Sequence, residues 1–335
     1  MRVLITGIAG FLGSHLAEFL LAQGCEVVGL VRDLARAENL CALRAKVKLF
    51  EADIRDATRV ERILAEVRPD HVYHLAARAS VPEGDANPQQ TYEVNVMGTR
   101  HLLEAVRRRA PKAHVLLAST ARVYGRVTAT ELPVTEAHPV RPVEPYAVSK
   151  ARAEALWSEY HRQGIVGVIV RSFNHIGPRQ SPAFVGADFA RQIVAAEMGW
   201  RAPVVNVGNL DVRRDFLDVR DAVRAYWLAL KSAPMFSERE AGSPSVVNVC
   251  SGEARSIREL LDGLLRLSPL SPTVVVDERR WRSADVPVLV GDPQRLRQLG
   301  WKPHIVWEQT LSDVLDDWRE RLRLAEASAR GIASL

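Results

Sequence analysis

Thr6-Gly7-Ile8-Ala9-Gly10-Phe11-Leu12-Gly13 follows the apolar run Arg2-Val3-Leu4-Ile5 and opens a helical stretch that ends near Gln23. A chain that passes from strand to helix within so few residues needs backbone conformations that glycine adopts without strain. Glycine also lets a ligand's phosphates come against the main chain, where a helix N-terminus presents unpaired N–H groups and a partial positive charge. Between a strand and a helix, the spacing G-x-x-G-x-x-G predicts a dinucleotide-phosphate site built from Gly7, Gly10, Phe11, Leu12 and Gly13.

Outward from that turn, strand-like runs recur at 2–6, 26–31, 46–50, 70–75, 114–119, 166–171 and 246–250, with helix-like stretches at 11–23, 57–67, 88–109 and 145–163. Such alternation predicts βαβ units and a parallel sheet. Runs such as Val115-Leu116-Leu117-Ala118 are apolar at successive positions, as strands covered on both faces are. The expected fold is α/β: a Rossmann-type doubly wound parallel sheet with a smaller C-terminal α/β substrate lobe. Beyond Arg171 the alternation loosens and Gly and Pro become frequent. Residues 1–165, with returning segments near 211–250, are assigned to dinucleotide binding, and 166–210 with 251–323 to the substrate lobe.

With 335 residues, 47% of them hydrophobic, the chain exceeds one ordinary domain and can bury a sizeable core. Its three cysteines (Cys25, Cys41, Cys250) are odd in number and lack metal spacing. They read as thiols in a reducing, cytoplasmic setting, with no metal site. No apolar stretch suffices to span a bilayer, and the chain starts in a strand rather than a signal peptide. The net charge of +5 comes from arginines spread beside acids. That distribution speaks against nucleic-acid binding and leaves positive charge for an anionic substrate.

The second strand, Glu26-Val27-Val28-Gly29-Leu30-Val31, runs into Arg32 and Asp33. An acidic residue at this strand end holds the adenine-ribose hydroxyls, whereas a basic one accommodates a 2′-phosphate. Val31 fills the acidic position and Arg32 follows, which favours NADP(H), with NAD(H) still usable. In the other reading Arg32 is a solvated surface cation and Asp33 serves the ribose. Asp53 and Ile54 follow the third strand, where the carboxylate can accept from the adenine amine. Leu75-Ala76-Ala77 ends the fourth with residues small enough to leave room for the dinucleotide. Asn95 lies in a helix, where asparagine is unfavourable. It reads either as a satisfied surface amide or as a hydrogen bond that steadies the active site.

Tyr146 and Lys150 lie four apart and so share one face of a helix. A nearby ammonium and a bound cationic nicotinamide favour the phenolate, which lets Tyr146 exchange a proton near neutrality; Lys150 can also hold the nicotinamide ribose. A hydroxyl at the preceding strand end must hydrogen-bond the reacting carbonyl or alcohol. Ser119 and Thr120 both qualify.

These residues resemble the extended short-chain dehydrogenase/reductase family over nearly the whole chain. The likeness rests on Thr6-Gly7-x-x-Gly10-Phe11-x-Gly13, Asp53-Ile54-Arg55-Asp56, His74-Leu75-Ala76-Ala77, Ser119-Thr120-x-x-Val123-Tyr124-Gly125 and Pro145-Tyr146-x-x-x-Lys150. It implies that Thr120 is the catalytic hydroxyl. Arg171-Ser172-Phe173-Asn174-His175-Ile176-Gly177-Pro178, Val207-Gly208-Asn209-Leu210 with Arg214-Asp215-Phe216, and Arg282-Ser283-Ala284-Asp285-Val286-Pro287 are similar to enzymes that handle GDP-6-deoxyhexoses. That likeness implies that Asn174, Arg214 and Arg282 meet the diphosphate or its ribose. It further implies that Asp285 holds ribose hydroxyls, that Asn209 and Arg191 lie near the base, and that Ser80 also contacts substrate. Forked, charge-assisted bonds from arginine suit a diphosphate.

One departure bears on the reaction. The 4,6-dehydratases of this family place acid/base carboxylates just after the catalytic Thr, where this chain has Ala121 and Arg122. Neither takes a C5 proton as a carboxylate would. Ketone reduction needs only the Tyr, the Thr and a hydride donor. The resemblance therefore implies NADPH-dependent reduction of the 4-keto group of a GDP-4-keto-6-deoxyhexose. The alternatives are a 4-epimerase or dehydratase of the same family, or a non-catalytic NADP(H)-binding sensor. Related enzymes dimerise through two helices per subunit. Leu102, Leu103, Val106, Ala151, Ala155 and Leu156 are the expected homodimer residues.

Overall fold

The computed structural model describes residues 1–79, 86–235, 245–281 and 286–329. The elements that position the site run β1 (Arg2–Thr6), α1 (Phe11–Ala22), β2 (Glu26–Val31), β3 (Lys48–Glu51), α2 (Ala57–Val67) and β4 (His71–His74). The helical region that follows is interrupted: α3 (Pro88–Tyr92), a π-turn over Glu93–Met97, then α4 (Gly98–Arg109). Next come β5 (His114–Thr120), α5 (Pro145–Arg162), β6 (Gly167–Ser172), β7 (Asn174–Ile176), α6 (Val185–Glu197), β8 (Val204–Val207), β9 (Arg213–Asp218) and α7 (Val219–Lys231). The chain closes with β10 (Ser245–Val249), β11 (Ala254–Ser256), α8 (Ile257–Arg266), β12 (Thr273–Val276), β13 (Val288–Leu289), α9 (Gln294–Gln298) and α10 (Trp307–Ala329).

The large sheet has seven strands in the order β10-β6-β5-β4-β1-β2-β3, all neighbours parallel. Successive residues of each strand point to opposite faces, and here both faces are covered. Ile5, Leu116, Val168 and Val170 pack with Leu16, Leu20, Ala222 and Tyr226 of α1 and α7. Leu4, Val115, Leu117 and Ile169 pack with Ile63, Leu102, Val106 and Trp157 of α2, α4 and α5. Truncating one of these fully buried side chains to Ala costs about 2–5 kcal/mol. The inner strands are thus apolar at nearly every position because each is covered on both faces, whereas the edge strand β3 is exposed or half-buried throughout.

The strand order reverses between β1 and β4, where Thr6 pairs with His74. In such sheets the ligand crevice opens at the carboxyl ends of the strands at this reversal. A second core, with Ile193, Val205, Leu260 and Leu315, belongs to a lobe made of α6, β8, α8 and α10. A small sheet, β11-β9-β13 with β7 on β9, lies alongside. The structure places β6 inside the large sheet, between β5 and β10. That moves Gly167–Ser172 out of the lobe to which the sequence assigns 166–210, because its buried pattern on both faces suits a central strand. Leu102, Leu103 and Val106 are also corrected: they are buried against this chain's own sheet, so they do not face a partner. No helix among the described residues is long and apolar enough to cross a membrane.

Candidate active site

The glycine turn is built for close approach. Gly7 takes φ +73°, and a Cβ there would stand 2.9 Å from the Ala76 nitrogen. A Cβ on Gly13 would meet the Gly7 oxygen at 2.3 Å. Gly10 precedes α1 without any side-chain cap, so the N–H groups around Phe11 and Leu12 stay open to a ligand. Leu75, Ala76 and Ala77 flank the turn and are only partly buried. The Thr6 hydroxyl accepts from the Ala76 N–H at 3.2 Å, fixing the two strand ends together.

At the end of β2, Arg32 is exposed, while Asp33 caps the next turn by accepting from the Ala35 N–H at 2.9 Å and pairs with Arg36. The guanidinium is thus the group held out at the strand end, and the carboxylate is already engaged. Asp53 is clamped by Arg55, whose Nη2 donates at 2.8 Å. Its carboxyl sits below the usual range chiefly through that bond, with the charge of Arg32 also reaching it. Ile54 beside it is buried.

The candidate catalytic groups converge at the carboxyl end of β5. Ser119 and Thr120 point to opposite faces. Ser119 donates to Glu154 of α5, which is bound to Arg171 at 2.8 Å. Thr120 faces the other way, accepts from the Arg122 N–H at 3.3 Å, and lies near enough to the Tyr146 phenol to lower its pKa. Strand parity thereby separates the two hydroxyls that the sequence left open. Tyr146 and Lys150 are buried. Burial pushes the phenol up to about 12, against the lowering effects of Thr120 and the Arg122 charge. Arg122, rather than the Lys150 ammonium that the spacing suggested, is the cation that lowers it. Burial pushes the Lys150 ammonium down to about 8, with Glu154 acting the other way. Lys150 Nζ donates to the Ala118 carbonyl at 2.7 Å.

Asn95 sits in the π-turn, a bulge frequent at functional sites. It is no surface amide: it is buried, accepts from the Arg78 N–H at 2.8 Å and donates to the Ser149 hydroxyl at 2.9 Å. Ser149 in turn donates to the Tyr146 carbonyl at 2.7 Å. Behind Asn95, Thr99 donates to the Asn95 carbonyl at 2.6 Å and bonds His74 Nε2 at 2.9 Å, while His74 Nδ1 meets Thr6 at 2.7 Å. Because Thr99 is a donor to Asn95, His74 donates from Nε2 and accepts from Thr6 at Nδ1. Hydrogen bonds on either side of Asn95 thus link Thr6, at the head of the glycine turn, to the helix of Tyr146 and Lys150.

One further observation fits a bound ligand. Both ring nitrogens of His175 are buried without a partner, beside the Ser172–Tyr226 hydroxyl pair. Burial pushes its imidazole down to about 4. Sequence reasoning gives His175 no role, although it stands next to Asn174. An ordered water or a polar ligand satisfies a buried group of this kind.

Of the substrate-side residues, Asn174 heads β7 opposite Phe216 of β9, and Arg214 lies two residues earlier on that strand. Arg214 Nη1 donates to the Val286 carbonyl at 2.7 Å. Arg191 is tied to Asp188 at 3.0 Å, as is Arg280 at 2.7 Å. The Asn209 side chain accepts from the Asp211 N–H at 2.9 Å. Ser80, Arg282 and Asp285 lie outside the described residues. Among the described residues no cluster of His, Cys, Asp or Glu has the form of a metal site.

A Rossmann-type sheet with an open glycine turn and a Thr–Tyr–Lys set at the end of β5 defines a nicotinamide-dependent oxidoreductase of the extended short-chain class. The chain belongs to the family described as GDP-mannose 4,6 dehydratase, whose profile matches residues 4–314. It is 37% identical over 324 residues to the GDP-6-deoxy-D-mannose reductase of Pseudomonas aeruginosa, covering 96% of this chain and 98% of that protein. The solved structure described as RMD from P. aeruginosa complexed with NADPH superposes with a TM-score of 0.81 at 34% identity, covering 96% and 99% of the two chains. The Thermus thermophilus UDP-glucose 4-epimerase complex with NAD gives 0.82 at 34% identity, covering 95% and 99%.

Proposed function

We propose that this protein reduces the C4 ketone of a GDP-4-keto-6-deoxyhexose with NADPH, forming a GDP-6-deoxyhexose such as GDP-6-deoxy-D-mannose. One observation carries the reading. Thr120, Tyr146 and Lys150 are assembled, while Ala121 and Arg122 stand where a dehydratase needs carboxylates, and the only carboxylate in contact with Arg122 among the described residues, Glu144, is bound to it at 2.9 Å. The likeness to a reductase of that name supports the substrate class.

When bound, NADPH supplies a hydride to the ketone carbon. Tyr146 holds its proton at neutral pH, as burial dictates, and gives it to the ketone oxygen. Thr120 hydrogen-bonds the same oxygen and orients it. Lys150, fixed to Ala118, holds the ribose near Tyr146. Gly7, Gly10, Phe11, Leu12 and Gly13 seat the pyrophosphate; Arg32 takes the 2′-phosphate; Asp53 and Ile54 line the adenine, and Leu75, Ala76 and Ala77 the channel. Asn174, Arg214 and Arg282 hold the substrate diphosphate, Asp285 its ribose, Arg191 and Asn209 the base, and Ser80 the sugar side. Residues 251–323 with the lobe strands form the substrate domain.

The test is incubation of the protein with NADPH and GDP-4-keto-6-deoxymannose, following NADPH loss and identifying the product by NMR. Turnover that falls about 10²-fold or more in Tyr146→Phe, with GDP binding retained, supports the reading. Unaided conversion of GDP-mannose to its 4-keto product overturns it, as does a tightly retained cofactor with C4 epimer interconversion. The enzyme is further taken to work in the cytoplasm as a homodimer. Ala151, Ala155 and Leu156 are exposed or only partly covered on α5 and offer the outer face for it. A monomer mass by light scattering at micromolar concentration sinks the dimer.

A further inference from the structure

Arg122 is the residue that the reduction reading leaves without a task. It follows Thr120 on the turn Ala121–Tyr124, and its N–H donates to the Thr120 hydroxyl at 3.3 Å. Its Nη1 donates to Glu144 Oε1 at 2.9 Å. Glu144 is the residue at the head of α5, two before Tyr146, and its carbonyl accepts from the Val148 N–H at 2.9 Å. The ion pair therefore bridges the two elements that carry the catalytic hydroxyl and the catalytic phenol. Both partners are largely covered, at 29% and 21% side-chain exposure, so the guanidinium is held in place rather than free in solvent.

We infer that Arg122, anchored by Glu144, is a specificity-determining residue of this site: a fixed cation beside Tyr146 that favours charge build-up on the C4 oxygen and leaves no base for proton abstraction at C5. The inference rests on the reduction reading and deepens it. As the hydride adds to C4, the carbonyl π electrons move to oxygen, and that oxygen takes the Tyr146 proton. The negative charge then resides on the Tyr146 phenolate until water reprotonates it. A cation nearby stabilises both the oxyanion and the phenolate, whereas a carboxylate in its place would oppose them. Lys150 is the cation that the spacing suggested for this role, but its Nζ is turned to Ala118. The groups that face the phenol are Thr120 from β5, Arg122 from the turn, and Tyr226 from α7, with Lys150 one turn along α5. Of these, Arg122 is the cation whose charge lowers the phenol's affinity for its proton. Glu144 holds the Arg122 guanidinium beside the head of α5.

Arg122→Gln, Arg122→Lys and Glu144→Gln are compared with wild type over a pH series of kcat and KM for ketone reduction. Tyrosinate ultraviolet absorbance is titrated in parallel against the matching Tyr146→Phe proteins. Arg122→Gln is expected to lower kcat roughly 10- to 100-fold, less than loss of a fully buried oxyanion donor because the guanidinium keeps some solvent. KM should hold within about twofold. The alkaline limb of kcat and the Tyr146 absorbance step should both move to higher pH. Arg122→Lys should restore part of kcat and of both shifts, and Glu144→Gln should lower kcat with KM held within about twofold. An Arg122→Gln enzyme with wild-type kcat, alkaline limb and absorbance step overturns the inference while leaving the reductase reading intact. A wild type that reduces no 4-keto sugar overturns that reading and the inference with it.

Discussion

The Asn95 amide donates to the Ser149 hydroxyl at 2.9 Å, one bond away from the main chain of Tyr146. This ties a residue of a π-turn to the catalytic helix across 54 positions of sequence. The same amide closes on both backbone groups of Arg78, so the loop after β4 and the helix of Tyr146 share one anchor.

Asn95→Ala removes three hydrogen bonds, one buried and two partly buried. The expected cost is about 2–3 kcal/mol, at roughly 1 kcal/mol for each bond lost, seen by chemical denaturation. Turnover should fall about tenfold as Tyr146 loses its fixed position, a loss of roughly 1.4 kcal/mol in transition-state stabilisation. NADPH affinity by fluorescence should change by less than about threefold, since none of the three bonds touches the glycine turn; a large loss of cofactor affinity with normal kcat contradicts the assignment.

The sheet was legible because its strands, covered on both faces, leave long apolar runs, and because the glycine turn and the Tyr146–Lys150 spacing are local signals. What stayed hidden depends on side-chain direction. Nothing in Ser119-Thr120 says which hydroxyl faces the crevice until the parity of β5 is set by its buried neighbours Leu117 and Leu116. Leu102, Leu103 and Val106 have the spacing of any amphipathic helix, and the same stripe serves a partner's helix or the chain's own sheet. The Ser119–Glu154–Arg171 group assembles residues from β5, α5 and β6, a long-range pairing that no local pattern encodes. Likewise Asn95 lies in an ordinary helical pattern, and only the π-turn brings its amide inward.

Gly13→Ala tests the close packing of the phosphate turn. A Cβ there would meet Gly7 oxygen at 2.3 Å and Ile8 Cα at 2.8 Å, both backbone atoms that cannot turn aside. The turn must open, and the N–H groups at the start of α1 move off the pyrophosphate. NADPH affinity is expected to fall at least about tenfold, while GDP affinity holds. Isothermal titration of both ligands checks this, and unchanged NADPH binding means that the phosphates do not sit on this turn.

Arg32→Asp addresses the choice of dinucleotide. Arg32 is the exposed cation at the end of β2, and Asp33 is already occupied by its cap to Ala35. Removing the cation and adding a carboxylate should lower the NADPH over NADH preference in kcat/KM by about 10- to 100-fold, given ~1.5–3 kcal/mol for a charged hydrogen bond. An unchanged ratio assigns the 2′-phosphate to another residue.

Lys150→Met separates the function of the lysine from its cost to the fold. Burial holds the Lys150 ammonium near pKa 8 rather than the ordinary 10.5. A base whose folded pKa is depressed binds its proton more weakly in the folded state, so the penalty is fully present below pH 8. Between pH 8 and 10.5 the unfolded chain binds more protons than the folded one, and stability from this group rises with pH. Methionine has the length to fill the space and no charge to bury. At pH 7 the variant should be more stable than wild type by about 1–3 kcal/mol, less what is lost with the bond to Ala118. The advantage should shrink as pH climbs from 8 toward 10.5, where wild type sheds the proton itself. Turnover should drop at least about 10²-fold, because the residue that holds the ribose against Tyr146 is gone. Urea denaturation at several pH values, set beside steady-state rates, reads both effects. A Lys150→Met enzyme that is less stable than wild type across the whole range would show that the ammonium stabilises the fold, contrary to the burial seen around it.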